Sequence, residues 1–427
     1  MEKIALKKLD QDIFYEQLQN GLKVILIPSL EKNNYYISYT TKYGSVNLNF
    51  VPKGEKEMFN SQKGIAHFLE HKIFEQENGE DPFTFFSKSG TGCNAGTSYQ
   101  KTSYFIYGIN DLENNLDYLI NFVNEPYFTD ENVQKEKGII IEEIKMYDDN
   151  HDWILTEEIQ KSTFKNHPIR YDIAGYVDTV SSIAKEDLYK CYNTFYQPSN
   201  MILVVSGNFD KDRVLDIIKQ NKSLNKKQDK EPIKQEKVDE QLEVFEKYKK
   251  INLNNVSIPK IAINIKISLN DVDDKYEYYM YVSSIVSILF GSSSAFKEKV
   301  LKNGYIHYIT CDKMLVDDYL IIEFYAEGTK DKQLLEEIID TFKNVNIEHE
   351  QLERYKKVLI ASTVMESDNV QGIAEAVISD YITWNKIIDD KIDLIRKMNL
   401  KELKKVKNSI DIDNNSTVVI EGEFKRK

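Results

Sequence analysis

NMILVVSGNF at residues 200–209 and NSTVVIEGEF at residues 415–424 lie over each other at an offset of 215, matching at Asn, one Val, Gly and Phe. Each is a short apolar run closed by Gly, the pattern of a buried strand. Similar elements precede both in similar order. In the first part, strands are expected at residues 23–28 and 35–43, then a helix at 65–75. A strand near 103–109 and two helical segments follow. In the second part, Ile261, Ile263, Ile265, Ile267 and Leu269 alternate as a half-buried strand does. A helix over 275–289, a strand over 319–326 and further helices come next. The helices VQKEKGIII and LERYKKVLI also correspond, more loosely. This is an internal repeat of one α+β domain. The expected fold is two homologous domains, each an antiparallel-rich sheet packed with helices.

Between the copies lies KQNKSLNKKQDKEPIKQEK, residues 219–237, almost entirely polar and charged. Such a stretch suits an exposed linker. The expected organisation is a catalytic domain over 1–218, a charged linker over 219–245 and a second, non-catalytic domain over 246–427.

Composition narrows the class of protein. The 427 residues carry 56 Lys and Arg against 69 Asp and Glu, a net charge of −13. Hydrophobic residues at 41%, with 27 Tyr and 20 Phe, supply large cores and exclude a disordered chain. The acidic balance argues against a nucleic-acid partner and against docking on an anionic membrane. Cys93, Cys191 and Cys311 are too widely spaced for a disulfide framework or a Cys-x-x-Cys site, and read as free thiols in a reducing compartment. The charged N-terminal stretch shows no signal-peptide run, and no uninterrupted apolar stretch approaches ~18 residues. The expected location is cytoplasmic.

The chemistry is concentrated in GIAHFLEHKIFE, residues 64–75. His67 and His71, four apart on a helix, share one face and can converge on one ion. Glu70, three residues after His67, points to the same region and can take a proton from a water without being a ligand. This is the inverted zincin order, H-x-x-E-H. Two surface histidines on an amphipathic helix are the plain alternative, but Ile65, Ala66, Phe68, Leu69, Ile73 and Phe74 make the segment mostly apolar. Polar groups there need a partner.

A catalytic zinc site usually takes a third protein ligand. Residues 133–150 read as a helix with two stripes. Lys135, Gly138, Glu142, Lys145 and Asp149 form a solvated face. Ile139, Ile140, Glu143, Ile144 and Tyr147 form an apolar one, which Glu136 continues two turns earlier. A carboxylate in an apolar stripe needs a counter-charge, so Glu143 rather than Glu142 is the expected third ligand. Glu136 then orients a histidine or the attacking water; an ordinary helix salt bridge also fits it. One zinc held by His67, His71 and Glu143 lowers the pKa of a water toward ~7. Glu70 serves as base and passes the proton to the leaving amine.

These segments resemble the pitrilysin, insulysin and mitochondrial processing peptidase family, and most nearly the catalytic subunit of its bacterial two-subunit members. The resemblance rests on GIAHFLEH, on EKGIIIEEIKMYDD and on residues 167–209. It implies zinc on His67, His71 and Glu143, a base at Glu70 and a supporting carboxylate at Glu136. It also implies that the two domains form half of a clamshell, facing a second such half across a chamber that admits peptides and unfolded segments. Substrate is then expected to pair as an added strand with a sheet edge. The matching segment is SGTGCNAGTSYQKTSYFIY, residues 89–107, with Asn94 and Ala95 at the edge-strand positions.

One departure stands out. The family usually carries an Arg and a Tyr seven residues apart in the opposite half. In residues 292–311 the matching positions are Val300 and His307, with no Arg; Tyr305 and Tyr308 are nearby candidates for substrate contact. A homologous partner subunit, in a hetero- or homodimer, is therefore expected to supply the missing groups. The leading expectation is a zinc endopeptidase. A subunit that keeps zinc for structure or assembly with little turnover is the alternative, and hydrolysis of a non-peptide amide is a more distant one.

Overall fold

The structure, a computed structural model, describes residues 1–225 and 231–422. Part of the charged stretch (226–230) and Glu423 and Phe424 of the closing repeat lie outside the described residues. The chain divides into two compact units: Met1–Ile144 with Asp172–Lys237 and Thr363–Lys391, and Lys145–Tyr171 with Val238–Ser362 and Ile392–Lys427.

The first unit is built on seven strands: β1 (Glu2–Leu6), β2 (Gln11–Gln17), β3 (Lys23–Pro28), β4 (Tyr35–Thr41), β5 (Gly92–Thr97), β6 (Thr102–Gly108) and β7 (Met201–Gly207). They lie in the order β1-β2-β3-β7-β4-β6-β5. The second unit has β8 (Tyr248–Leu253), β9 (Lys260–Ser268), β10 (Tyr308–Val316), β11 (Tyr319–Glu327) and β12 (Asn415–Gly422), in the order β8-β12-β9-β11-β10. Setting β1 and β2 aside, the two orders are the same. In each, the first and last strands of the copy pair in parallel, β3 with β7 and β8 with β12, and every other neighbour is antiparallel. The repeat legible in the two terminal strands is thus a repeat of topology.

Each sheet also packs against one helix that a contiguous reading of the chain does not assign to it. Helix α1 (Ile65–Ile73) buries Ile65, Ala66, Phe68, Leu69 and Ile73 in the main core of the first unit. Helix α2 (Asp130–Asp148) adds Val133, Ile140 and Ile144 to that core. Helix α3 (His151–Thr163) instead belongs to the second unit, where Leu155 and Ile159 pack on Ala262, Val418 and Ile420. Helix α4 (Val370–Trp384), far along the chain, belongs to the first and packs Ile373, Ala374, Val377 and Ile378 on Ile25, Ile27, Ile202 and Val204.

Two details differ from expectation. The polar stretch after residue 219 buries Leu224, and Ile233 packs on the core. Backbone bonds from Val51 to Lys234 (2.9 Å) and from Glu236 to Asn49 (3.1 Å) pin its described end to the first unit. Composition alone hides this, because backbone amides need no apolar side chain to pair. Among the described residues one stretch, Lys275–Lys302, is by length and composition able to cross a membrane, although interrupted apolar runs gave no such expectation. Of its apolar window 61% is buried inside the fold, as in a core helix.

Candidate metal centre

Helix α1 starts at Gly64, whose φ of +90° an L side chain rarely adopts. A Cβ there would stand 2.3 Å from the Ala174 carbonyl oxygen, and one on Gly175 would stand 2.4 Å from the Lys63 oxygen. The two glycines press backbone to backbone, which fixes where α1 begins and so where its histidines point.

On α1 the rings of His67 and His71 meet edge to face, with centroids 4.6 Å apart. Across from them, Glu143 on α2 places Oε1 3.9 Å from Nε2 of His67 and Oε2 3.8 Å from Nε2 of His71. One donor atom from each residue falls within 4.8 Å of the others. Tetrahedral zinc with bonds of ~2.0–2.1 Å spaces its donors by about 3.3–3.5 Å. A small inward movement of half-buried side chains spans the difference, so two imidazoles and a carboxylate fit the ion. The exposed face of α2 comprises Lys135, Gly138, Glu142 and Lys145, as expected, with Asp149 exposed just past its end, whereas Ile139 is also exposed and does not belong to the buried stripe.

Electrostatics distinguish the two histidines. Burial and the neighbouring His71 push His67 down to about 4, which keeps its ring neutral with a free lone pair. Burial acts the same way on His71, but Oε1 of Glu136, 3.1 Å from Nδ1, and the fields of Glu70, Glu136 and Glu143 outweigh it and raise that ring. Burial would raise Glu136, yet His71 and Lys72 hold it below the ordinary range. Glu70 is buried, which raises it, with Glu143 adding to the effect and Thr97 opposing it. The Thr97 hydroxyl donates to Oε2 of Glu70 at 2.7 Å.

Thr97 ends β5, the outermost strand of its sheet, which pairs on one side with β6. Asn94 and Gly96 of β5 are exposed, and the Ala95 amide donates to Asn94's own Oδ1 at 2.9 Å. The fold thus brings together His67, Glu70, His71, Glu136, Glu143 and the Asn94–Ala95 edge, all in the first unit. Tyr305 and Tyr308 belong to the second unit, Tyr305 half-buried and Tyr308 exposed at the start of β10; Val300 is buried in the core there. Sequence reasoning did not single out Thr97 or Lys72. For Thr97 the signal was its position two residues after Ala95, on the same side of a strand. For Lys72 it was a charge inside an apolar helical run.

Comparison with known proteins places the chain in a family. Residues 50–176 match the family model described as insulinase (peptidase family M16), and residues 182–359 match the M16 inactive domain. The chain is 42% identical to the "Uncharacterized zinc protease YmfH" of Bacillus subtilis, over 71% of each chain. It is 25% identical to the mitochondrial-processing peptidase subunit beta of Caenorhabditis elegans, over 39% of this chain and 37% of that one. A crystal structure of an M16-like peptidase from Alicyclobacillus acidocaldarius superposes with a TM-score of 0.89 at 29% identity, covering 97% of this chain and 99% of that one. The chain belongs to peptidase family M16.

Proposed function

We propose that this chain is a zinc metalloendopeptidase that cleaves peptides or unfolded segments. The observation that carries the reading is the convergence of the His67 and His71 Nε2 atoms on the two oxygens of Glu143, with Glu70 buried alongside. His67, His71 and Glu143 would hold one zinc, which when bound supplies Lewis-acid polarisation of the scissile carbonyl and a more acidic water. Glu70, held at Oε2 by Thr97, keeps Oε1 for the attacking water. It takes the proton as the water oxygen bonds to the carbonyl carbon, then delivers it to the amine as the C–N bond breaks. Glu136 holds Nδ1 of His71, so that Nε2 faces the site.

The substrate lies against β5, whose outer edge can take an added strand once Asn94 releases the Ala95 amide. Main-chain pairing of this kind leaves side-chain preference to other contacts. A homologous partner subunit completes the enclosure and supplies the Arg absent from residues 292–311, with Tyr305 and Tyr308 contributing to substrate contact. The relative named as a subunit supports such an assembly. The three cysteines, all free, suit a cytoplasmic setting.

One observation favours a second reading, a subunit that keeps zinc without efficient turnover: residues 182–359 match an inactive domain. Mass spectrometry of a peptide library digested by the purified protein, alone and with co-purifying partner, separates the two. Zinc-dependent cuts support the peptidase; intact peptides in both samples, with zinc bound, support the scaffold.

A further inference from the structure

The helix that carries both histidines continues directly into Lys72, a charge that neither ligation nor proton transfer uses. Its side chain has 0% exposure. An ammonium cut off from water is costly unless carboxylates and carbonyls replace its hydration. Two hydrogen-bond acceptors and one neighbouring carboxylate do so here. The Glu75 carboxylate, just past the end of α1, pairs with Nζ; the Asn132 backbone carbonyl accepts at 3.3 Å, and Oε2 of Glu136 lies at 3.8 Å. Asn132 and Glu136 are one turn apart on α2, so a single ammonium ties α1 to the turn that presents Glu136.

Glu136 is thereby engaged from both sides, Oε2 facing Lys72 and Oε1 facing Nδ1 of His71. A carboxylate's terminal torsion is broad and roughly two-fold. Held by His71 alone, Glu136 could turn and carry the imidazole with it; a second fixed point stops this.

We propose that Lys72 is a positioning residue for the metal site. Its buried ammonium fixes Glu136 and, through Glu136, the His71 ring, so that zinc affinity depends on a lysine that is not a ligand. The inference rests on the metallopeptidase reading above. His67 has no such chain behind it: its buried Nδ1 meets no protein hydrogen-bond partner among the described residues. The relay thus acts on one histidine only.

The test measures zinc dissociation constants on the full chain, by competition with a chelator. Four proteins are compared: wild type, Lys72→Met, Glu136→Gln and the double variant. Lys72→Met preserves length and removes charge, and it should weaken zinc binding about 10-fold, the scale of a lost supporting contact. The double variant should bind no more weakly than Glu136→Gln, because Lys72 acts through Glu136. An unchanged constant in Lys72→Met overturns the proposal. So do losses that multiply in the double variant, since Lys72 would then act independently of Glu136. If Lys72→Met does not fold, Lys72→Gln, which keeps a donor, is read by the same criteria. A wild-type chain that binds no zinc defeats the metallopeptidase reading itself. Normal zinc binding with an indifferent Lys72 defeats this proposal alone.

Discussion

The Thr97 hydroxyl donates a 2.7 Å hydrogen bond to Oε2 of Glu70, joining the last residue of the edge strand β5 to the helix that bears both histidines. A hydrogen bond to a charged group contributes about 1.5–3 kcal/mol. Thr97→Val keeps the shape of the side chain and removes the donor. It should lower kcat by at least about 10-fold while zinc content stays the same. Steady-state kinetics with metal analysis checks this, and an unchanged kcat would free Glu70 from any dependence on the strand.

The choice of Glu143 over Glu142 is directly testable. Glu143 faces both histidines, whereas Glu142 is on the exposed face of α2. Glu143→Gln, His67→Ala and His71→Ala should each lose most bound zinc after dialysis. Glu142→Gln should retain it. Zinc-to-protein ratios by elemental analysis decide the matter.

Close packing of Gly64 against Gly175 predicts a cost without any change in chemistry. Gly64→Ala combines a left-handed backbone with a Cβ 2.3 Å from the Ala174 oxygen. It should destabilise the first unit by more than about 2 kcal/mol. Urea unfolding measures the loss. A neutral substitution would mean that α1 can shift without consequence.

Glu323 offers a pH test away from the metal centre. Burial, with Asp312 nearby, pushes it from 4.5 up to about 7, although Gln160 donates to it at 3.0 Å. Because the folded protein holds this proton more tightly than the unfolded chain, its contribution is full below pH 4.5 and is lost as pH rises through about 7. Glu323→Gln should therefore matter little at pH 5 and stabilise by about 1–2 kcal/mol at pH 8, as urea midpoints at the two pH values will show.

What could be read in advance followed from strong periodicity. Within β3, Val24–Pro28 is an unbroken apolar run, and the alternation from Ile261 to Ile267 fits within β9. The 3.6-residue stepping placed Glu136 and Glu143 on one side of α2, although it drew the stripe too wide at Ile139. Strand β5 carries no such pattern, since GCNAGT is small and polar; only a resemblance marked it as an edge. The assignments of α3 and α4 were not legible either. An amphipathic helix states that one face must be buried and leaves open which sheet buries it. Thr97 and Lys72 act through partners 27 and 60 or more residues away in the chain, which spacing along one helix does not reveal.

Glu70→Gln removes one proton acceptor and leaves both histidines and Glu143 in place. The purified variant should carry zinc at the wild-type ratio and cleave peptides at least about 100-fold more slowly, the low end of general-base contributions. Cleavage at the wild-type rate with zinc retained would contradict the role of Glu70 and with it the proposed mechanism.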